Sequence, residues 1–351
     1  MIALPLTFSK QRLSRWVLIG LSAILVGILM LSLTKGAYSI GLSQVIAALI
    51  EPFGYHLDAF DLRAANVLMQ IRLPRIILSV LVGGGLGIAG AALQGLFRNP
   101  LVEPGLIGVS SGSALFAVIF LVVFPGITSI FPILERLGLP MFSFLGGLVN
   151  VFAVYYLGAN KEGENTATII LAGVAINALA GALIGLTLFY ADDTALRSFT
   201  FWSLGDLSVA SWEKLPIAAL LICIPSLVLL KGSKNLNALA LGEKEAFYMG
   251  VNVNRTKVTL LVSTALIVGV AVSLTGMIGF VGLIVPHLMR ISFGADHKLV
   301  LPGSFLLGAI LLNFADLLAR TIAIPAEMPI GVITSLLGAP FFIGLIYNLK
   351  K

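Results

Sequence analysis

Residue types that carry catalytic or metal chemistry are few in this chain, and they are far apart. Its three histidines, His56, His287 and His297, and its single cysteine, Cys223, are scattered over 351 residues. A metal site or a membrane-embedded catalytic centre needs such groups clustered at ligand spacing. Asp316 is the one acid well inside an apolar run, where acids are usually functional or paired with a neighbouring helix. The sequence therefore predicts no catalytic residue, no metal site and no enzyme activity.

A glycine motif in the first half resembles a nucleotide-binding fingerprint, but its context is wrong. Gly85, Gly87 and Gly90 match G-x-G-x-x-G. No strand precedes them, and the acidic residue expected about 20 positions later is missing. The same region repeats small residues at four-residue spacing, as in Gly83, Gly87 and Ala91, and this pattern permits close helix packing in a membrane. We interpret these glycines as packing residues.

Composition places the chain in a membrane. Hydrophobic residues make up 58% of it and charged residues only 11%, and the mean hydropathy is +1.05. A span needs about 20 apolar residues, so the chain can supply about ten spans. The basic residues are scattered between apolar runs instead of lining one face with aromatic residues, which argues against nucleic acid as a partner.

The apolar runs predict an all-α, polytopic membrane protein of about ten transmembrane helices. Most Lys and Arg residues fall on one side if the N-terminus starts inside, which by the positive-inside rule places both termini in the cytoplasm. The predicted spans are 16–33, 74–95, 105–124, 141–158, 167–190, 213–230, 258–277, 280–292, 300–319 and 329–347.

Two apolar segments are interrupted. Pro100 and Pro104 prevent a helix from continuing after the second span. Near the other end, Gly276 and Gly282 flank a short span that contains Pro286. Broken helices in corresponding positions indicate a transporter built from inverted repeats. We therefore expect two inverted five-helix halves with short broken helices.

The longest inside loop, about 231–257, contains a segment with mixed charges and apolar residues. Residues 239–250 predict a short amphipathic helix that ends at Gly250. A solvated surface helix and a docking element for a cytoplasmic partner are both compatible with this pattern.

Seven ordered motifs between about 15 and 348 resemble one family, the permease subunits of ABC importers for iron chelates, heme and vitamin B12. The motifs are Ile71–Arg75, Gly90–Gly95, Asn99–Gly108, Leu171–Val174, Leu241–Glu243, Gly279–His287 and Glu327–Thr334.

The resemblance implies an assembly in a bacterial cytoplasmic (inner) membrane. Two copies of the permease form the path, two ATP-binding subunits lie on the cytoplasmic side, and a periplasmic or surface substrate-binding protein delivers the substrate. The chain would be one transmembrane permease domain, 1–351, with 231–257 as its coupling segment. It lacks a G-x-x-x-x-G-K-[ST] loop, so we expect it to bind no cofactor, with ATP and magnesium bound by the partner ATPase.

The resemblance also assigns roles to individual positions. Ala167 departs from the hydroxyl residue that is common in the family, which leaves the detailed gate open. Interfacial anchoring by snorkelling is the alternative for the arginines. The expected roles are binding-protein docking for Arg72, Arg75 and Arg320; ATPase coupling for Leu241, Gly242, Glu243, Phe247, Met249 and Gly250; and a cytoplasmic gate for Asn99, Leu101, Thr166 and Ala167.

One segment narrows the range of expected substrates. Residues 197–207 resemble heme permeases within the family, so an iron chelate, with heme first, is the expected substrate. A cobalamin or ferric-siderophore permease is the alternative within the family. Outside it, an ion-coupled secondary transporter would need a chain of intramembrane acids, which Asp316 alone does not supply. His287 follows a proline in the family whatever the substrate, so we do not expect it to bind heme.

Overall fold

The protein is described by a computed structural model that covers residues 10–124, 133–158 and 166–349. Within these ranges the regular structure is helical, with no strand. The α-helices are α1 Lys10–Thr34, α2 Leu42–Ile50, α3 Leu62–Asn66, α4 Leu73–Phe97, α5 Val109–Val123, α6 Ile133–Gly158, α7 Thr166–Phe189, α8 Asp193–Ser203, α9 Leu215–Lys231, α10 Ser233–Leu241, α11 Glu243–Tyr248, α12 Val253–Thr275, α13 Val281–Phe293, α14 His297–Thr321 and α15 Ile330–Leu349.

The predicted all-α polytopic fold is confirmed, and each of the ten predicted spans contains a helix. In the described part of the chain, six helical segments are long and apolar enough to cross a membrane, or seven if the bent pair α9 and α10 is counted as one span. The axis bends by 50° between these two helices. The helices α5, α13 and α15 are apolar but shorter.

Helix α4 lies at the centre of the bundle. The segment Leu62–Phe97 is the most deeply buried of the apolar spans. Of its apolar stretch, 89% is buried inside the protein. Its glycines let neighbouring helices approach closely. A Cβ atom added to Gly87 would overlap the carbonyl oxygen of Ser304 on α14, and one added to Gly90 would overlap the carbonyl oxygen of Gly282. The small-residue stripe is therefore a packing surface, as the sequence predicts.

The two predicted interruptions are present, and they meet beside α4. Helix α4 ends at Arg98, which has φ of 50°, and α13 begins after Phe280, which has φ of 68°. A short 3₁₀ turn, Pro104–Ile107, follows the first break. A Cβ atom added to Gly282 would lie 3.0 Å from Cδ of Pro104. The 3₁₀ turn that follows the first break thus packs against the start of α13. The inverted relationship of the two halves stays a prediction.

Two ends of the bundle are defined by their contacts. At the arginine end, the C-terminal ends of α1 and α14 lie beside the start of α4, because Arg72 donates to the carbonyl of Leu33 and Arg320 donates to Ser32. At the coupling end, the end of α4 lies beside the start of α14, where His297 is close to Gly95. Helices α10 and α11 belong to the coupling end.

Candidate functional site

The arginine end contains a buried charge cluster, which we define as Arg72, Arg75, Asp316, Arg320 and Glu327. Nε of Arg75 donates to Oδ1 of Asp316 at 2.8 Å, and Nε of Arg320 donates to Oδ2 of the same carboxylate at 2.9 Å. Nη1 of Arg75 donates to Oε2 of Glu327 at 2.7 Å. Arg72 donates to the backbone carbonyls of Leu33 and Tyr38. Ion pairs therefore join Arg75, Asp316, Arg320 and Glu327, whereas Arg72 is held by backbone carbonyls.

The side chains of the three arginines are buried in the protein. Arg72, Arg75 and Arg320 are 4%, 5% and 6% exposed, respectively. Burial is tolerated because the guanidinium groups are paired with carboxylates or donate to carbonyls, as buried charges must be. This geometry differs from snorkelling, in which the charged group reaches water. Docking of a partner on these arginines stays a prediction, and in this conformation their side chains are covered.

Asp316 is a contact between helices. Its side chain is fully buried, and it joins Arg75 on α4 to Arg320 one turn further along α14. Helix–helix pairing was one of the two roles open to it from the sequence. Glu327 was part of a recognised motif, but its pairing with Arg75 was missed. The residues are 252 positions apart, so nothing in the local pattern indicates that they meet.

The segment that follows Glu327 ties the end of α14 to the loop after α8. The amide of Met328 donates to the carbonyl of Ala319 at 3.0 Å. The amides of Ile330 and Gly331 donate to the carbonyls of Gly205 at 3.2 Å and Leu204 at 2.9 Å, respectively. The segment therefore bridges two parts of the bundle through its backbone.

A cavity of about 420 Å³ opens between this segment, α8 and the end of α12. Its wall combines aromatic and apolar side chains with charged groups. The groups that matter for its chemistry are Arg75, Phe201, Trp202, Asp206, Thr275 and Glu327. Residues 197–207, which resemble heme permeases, contribute the aromatic part of the wall. An amphipathic molecule with apolar faces and charged edges fits this lining.

The coupling segment presents apolar side chains to the surroundings. Gly242 adopts φ of 139° and separates α10 from α11, and Gly250 adopts φ of 84° where the short helix ends. Glycine suits both positions because other residues rarely adopt positive φ. Leu241, Phe247 and Met249 are 67%, 69% and 63% exposed, respectively. A helix is therefore present as predicted, although it begins at Glu243, and its apolar side chains are uncovered.

The coupling segment is joined to the bundle by polar contacts. Oδ1 of Asn237 on α10 accepts a hydrogen bond from the backbone amide of His297 at 2.9 Å, and Nδ2 of Asn237 donates to Oδ1 of Asp296 at 2.7 Å. Partial burial raises the pKa of Asp296, but the hydrogen bonds from Asn237 and from the amide of Lys298 outweigh it and lower the pKa below its usual 3.8. Asn237 thus links α10 directly to the start of α14.

A second polar contact, which we also call a joint, connects α11 to α12. Nζ of Lys257 on α12 lies 2.9 Å from Oε2 of Glu243. Lys257 is buried and Glu243 is partly exposed. Two polar contacts therefore connect the short helices to α12 and α14.

The predicted gate residues fall on two elements. Oδ1 of Asn99 accepts a hydrogen bond from the amide of Leu101 at 2.9 Å, and Leu101 is 47% exposed. These two residues lie in the break after α4. Thr166 and Ala167 begin α7, and their side chains lie outside the described part of the structure. The gate therefore stays a prediction.

A polar network supports the same break. Nδ2 of Asn177 on α7 donates to the carbonyl of Gly105 at 3.1 Å, and Oγ of Ser111 is hydrogen-bonded to Oδ1 of Asn177 at 2.5 Å. Nδ2 of Asn150 on α6 donates to Oγ of Ser111 at 3.3 Å. Helices α6 and α7 thereby satisfy polar groups that the interruption leaves without helical partners.

Glu103 is a carboxylate in this break that the sequence analysis did not single out. It is half-buried between two prolines, and burial raises the pKa of its carboxyl group above the usual 4.5. The motif Asn99–Gly108 contained it, but no local pattern distinguishes a buried acid from an exposed one in a loop. Glu103 is therefore an additional polar group close to the predicted gate.

Metal ligands are not clustered in the residues that the structure describes. No group of three or more His, Cys, Asp or Glu side chains within these ranges could hold a metal ion. His287 and His297 are on different helices, and His297 is 4% exposed beside Asn237.

The fold and these sites together define a multi-pass, all-α membrane permease. The FecCD transport family model matches residues 24–348. The chain belongs to this family.

Individual proteins similar to this chain are also described as permeases or ABC transporters. The chain is 46% identical to the hemin transport system permease protein HmuU of Yersinia pestis over 82% of this chain and 84% of that protein. It is 38% identical to the vitamin B12 import system permease protein BtuC of Vibrio cholerae over 85% and 86% of the two chains. A solved structure described as an inward-facing conformation of a metal-chelate type ABC transporter matches with a TM-score of 0.82 and 34% identity, covering 95% of this chain and 99% of that one.

Proposed function

We propose that this chain is the membrane-spanning permease subunit of an ABC importer that moves heme across the cytoplasmic membrane. The observation that carries the substrate is the 46% identity to a hemin permease over most of both chains. The cavity at the arginine end supports it, because the aromatic side chains of Phe201 and Trp202 suit a flat, apolar ring system. A cobalamin or ferric-siderophore permease is the alternative, and the 38% identity to a BtuC protein is lower than the identity to the hemin permease.

The proposed orientation places the coupling end in the cytoplasm and the arginine end outside. The positive-inside distribution of Lys and Arg supports it. With both termini inside, the cavity opens toward the side from which a substrate arrives. A second copy of the chain would complete the path, and two ATP-binding subunits would lie below. The break that contains Asn99 and Leu101 then narrows the path on the cytoplasmic side, with Thr166 and Ala167.

The ATPase would bind the coupling segment. Uncovered apolar side chains on a short helix suit a groove of a partner protein, and burying one such side chain contributes about 1.5–3 kcal/mol. The sequence contains no phosphate-binding loop, so we place ATP hydrolysis on the separate subunit. The contacts through Asn237 and Glu243 would pass the movement of that subunit to α14 and α12.

A substrate-binding protein would dock on the arginine end. Carboxylates on its two lobes can pair with the arginines of two permease copies, because a guanidinium holds a carboxylate through two hydrogen bonds. Arg72, Arg75 and Arg320 are the residues proposed for this contact. Their burial requires that docking uncovers at least one of them.

The experiment that tests the substrate is competition in reconstituted vesicles. The permease, its ATPase and its binding protein are reconstituted together, and ATP-driven uptake of hemin is measured with an excess of cyanocobalamin or of a ferric siderophore. We expect hemin uptake that neither competitor reduces. Uptake of cobalamin with no uptake of hemin would favour the alternative.

A further inference from the structure

Within the charge cluster, Glu327 is the carboxylate that can separate from its arginine partner, Arg75. The side chain of Asp316 is fully buried and those of Arg75 and Arg320 are 6% exposed, whereas the side chain of Glu327 is 49% exposed. Water therefore reaches Glu327 but hardly reaches its partner. A half-exposed carboxylate loses little hydration when it forms or breaks an ion pair.

The net charge of the cluster determines when Glu327 can separate from Arg75. Arg72 is bound by backbone carbonyls, so the carboxylates pair with Arg75 and Arg320. These two arginines carry two positive charges, and Asp316 and Glu327 carry two negative charges. If Glu327 moves away, a buried guanidinium charge is left without compensation, which is costly in a low-dielectric interior. A second carboxylate that takes its place on Arg75 removes this cost. Departure of Glu327 is therefore favoured only when another carboxylate arrives.

The position of Glu327 connects this exchange to the cavity. The next residues, Met328 to Gly331, hydrogen-bond to the end of α14 and to the loop after α8. Both Glu327 and this segment line the cavity together with Thr275. In the described part of the chain, the pair with Arg75 is the only ion pair of the segment between α14 and α15. Loss of this pair removes the ion pair between that wall and Arg75 at the start of α4.

We infer that Glu327 is an internal carboxylate that occupies Arg75 until a carboxylate of the docking protein replaces it, and that this exchange loosens the cavity wall. The inference rests on the proposed function, because it takes the docking partner to be a protein with exposed acidic residues. Glu327 acts through Arg75 and is a positioning residue. Its removal should open the wall without any partner.

The test measures access to the cavity in the purified chain. Cys223 is the only cysteine, so a Cys223→Ala background allows a single probe at Thr275→Cys. Thr275 is 2% exposed and lines the cavity. The rate of reaction with a membrane-impermeant maleimide is measured in lipid nanodiscs. No nucleotide, ATPase or binding protein is present, so failure here leaves the importer proposal standing.

We expect Glu327→Gln to speed labelling of the probe several-fold. Glu51→Gln is the matched control, because it removes a carboxylate from another side-chain contact, with Nδ1 of His56 at 2.9 Å. The control should label at the rate of the parent. Equal rates in Glu327→Gln and the parent, with both proteins folded by size-exclusion chromatography, would overturn the inference.

Two further measurements distinguish competition for Arg75 from a purely structural role of Glu327. Salt weakens a half-exposed ion pair, so 1 M salt should speed labelling of the parent and leave Glu327→Gln unchanged. The salt experiment on the parent also tests the inference if Glu327→Gln does not fold. A labelling rate of the parent that is independent of salt would contradict the inference. Glu327→Gln should bind the reconstituted system's binding protein more tightly, because Arg75 is then available. Weaker binding would indicate that Glu327 only supports the fold.

Discussion

Arg75 and Asp316 are 241 positions apart in the chain, and Nε of the arginine lies 2.8 Å from Oδ1 of the aspartate. The pair fastens α4, the central helix, to α14 at the arginine end. Both side chains are buried, and the same carboxylate also accepts from Arg320. Removing one member of a buried ion pair leaves the other without compensation, which makes this contact costly to disturb.

The first prediction concerns the stability of that contact. Asp316→Asn leaves two buried guanidinium groups with Glu327 as their remaining carboxylate. Breaking a buried ion pair costs about 3–5 kcal/mol, so we expect a clear loss of the free energy of unfolding in detergent. Glu51→Gln, in the more exposed pair with His56, should change it by about 0–1 kcal/mol. Equal effects of the two variants would show that the buried cluster does not stabilise the bundle.

The second prediction concerns the coupling segment. Phe247→Asp should separate the ATPase from the permease on purification, because a charge would enter an apolar contact. The control is Phe53→Asp, which alters a phenylalanine of similar exposure, 78% against 69%, near the arginine end. Co-purification of the ATPase with each variant is the measurement. An intact complex and full uptake with Phe247→Asp would favour a solvated helix without a docking role.

The third prediction concerns the joint between α10 and α14. Asn237→Ala removes the acceptor for the amide of His297 and the donor to Asp296. The ATPase should still bind, because the exposed face of α11 is unchanged. Substrate uptake per ATP hydrolysed should fall, and this ratio is measured in vesicles. Asn254→Ala, an exposed asparagine on α12, is the control. A parent-like ratio in Asn237→Ala would remove this joint from the coupling route.

The fourth prediction is a pH dependence at Glu103. Burial raises its pKa, so ionisation is less favourable in the folded chain than in the unfolded one. The folded state therefore loses stability as the pH rises from the unfolded value near 4.5 through the folded pKa. Glu103→Gln should raise the thermal midpoint relative to the parent at pH 8 and much less at pH 4. A difference that is independent of pH would show that ionisation of Glu103 is not the cause.

Helix positions were predictable from the sequence because lipid imposes a strong, local requirement. Each span must be apolar over about 20 residues, and prolines and glycines mark interruptions locally. The stripe of Gly83, Gly87 and Ala91 indicated close packing, since only small residues allow it. The short helices α2, α3 and α8 were missed because they are not long apolar runs.

The buried charge cluster was beyond the reach of sequence patterns. Hydropathy places Arg75 near the end of a span but does not say which face it occupies. Its partners lie on α14 and in the following loop, and only the packing of α4 against α14 brings them together. The exposed apolar side chains of α11 could be predicted, since charge alternation and Gly250 defined the helix.

ATP-driven hemin uptake tests the central claim most directly. Proteoliposomes that contain the permease and its ATPase are loaded with ATP, and hemin-loaded binding protein is added outside. We expect accumulation of hemin that requires ATP and binding protein, together with ATP hydrolysis that the binding protein stimulates. Hemin accumulation at the same rate without nucleotide, driven by a proton or sodium gradient, would contradict the assignment as an ABC importer permease.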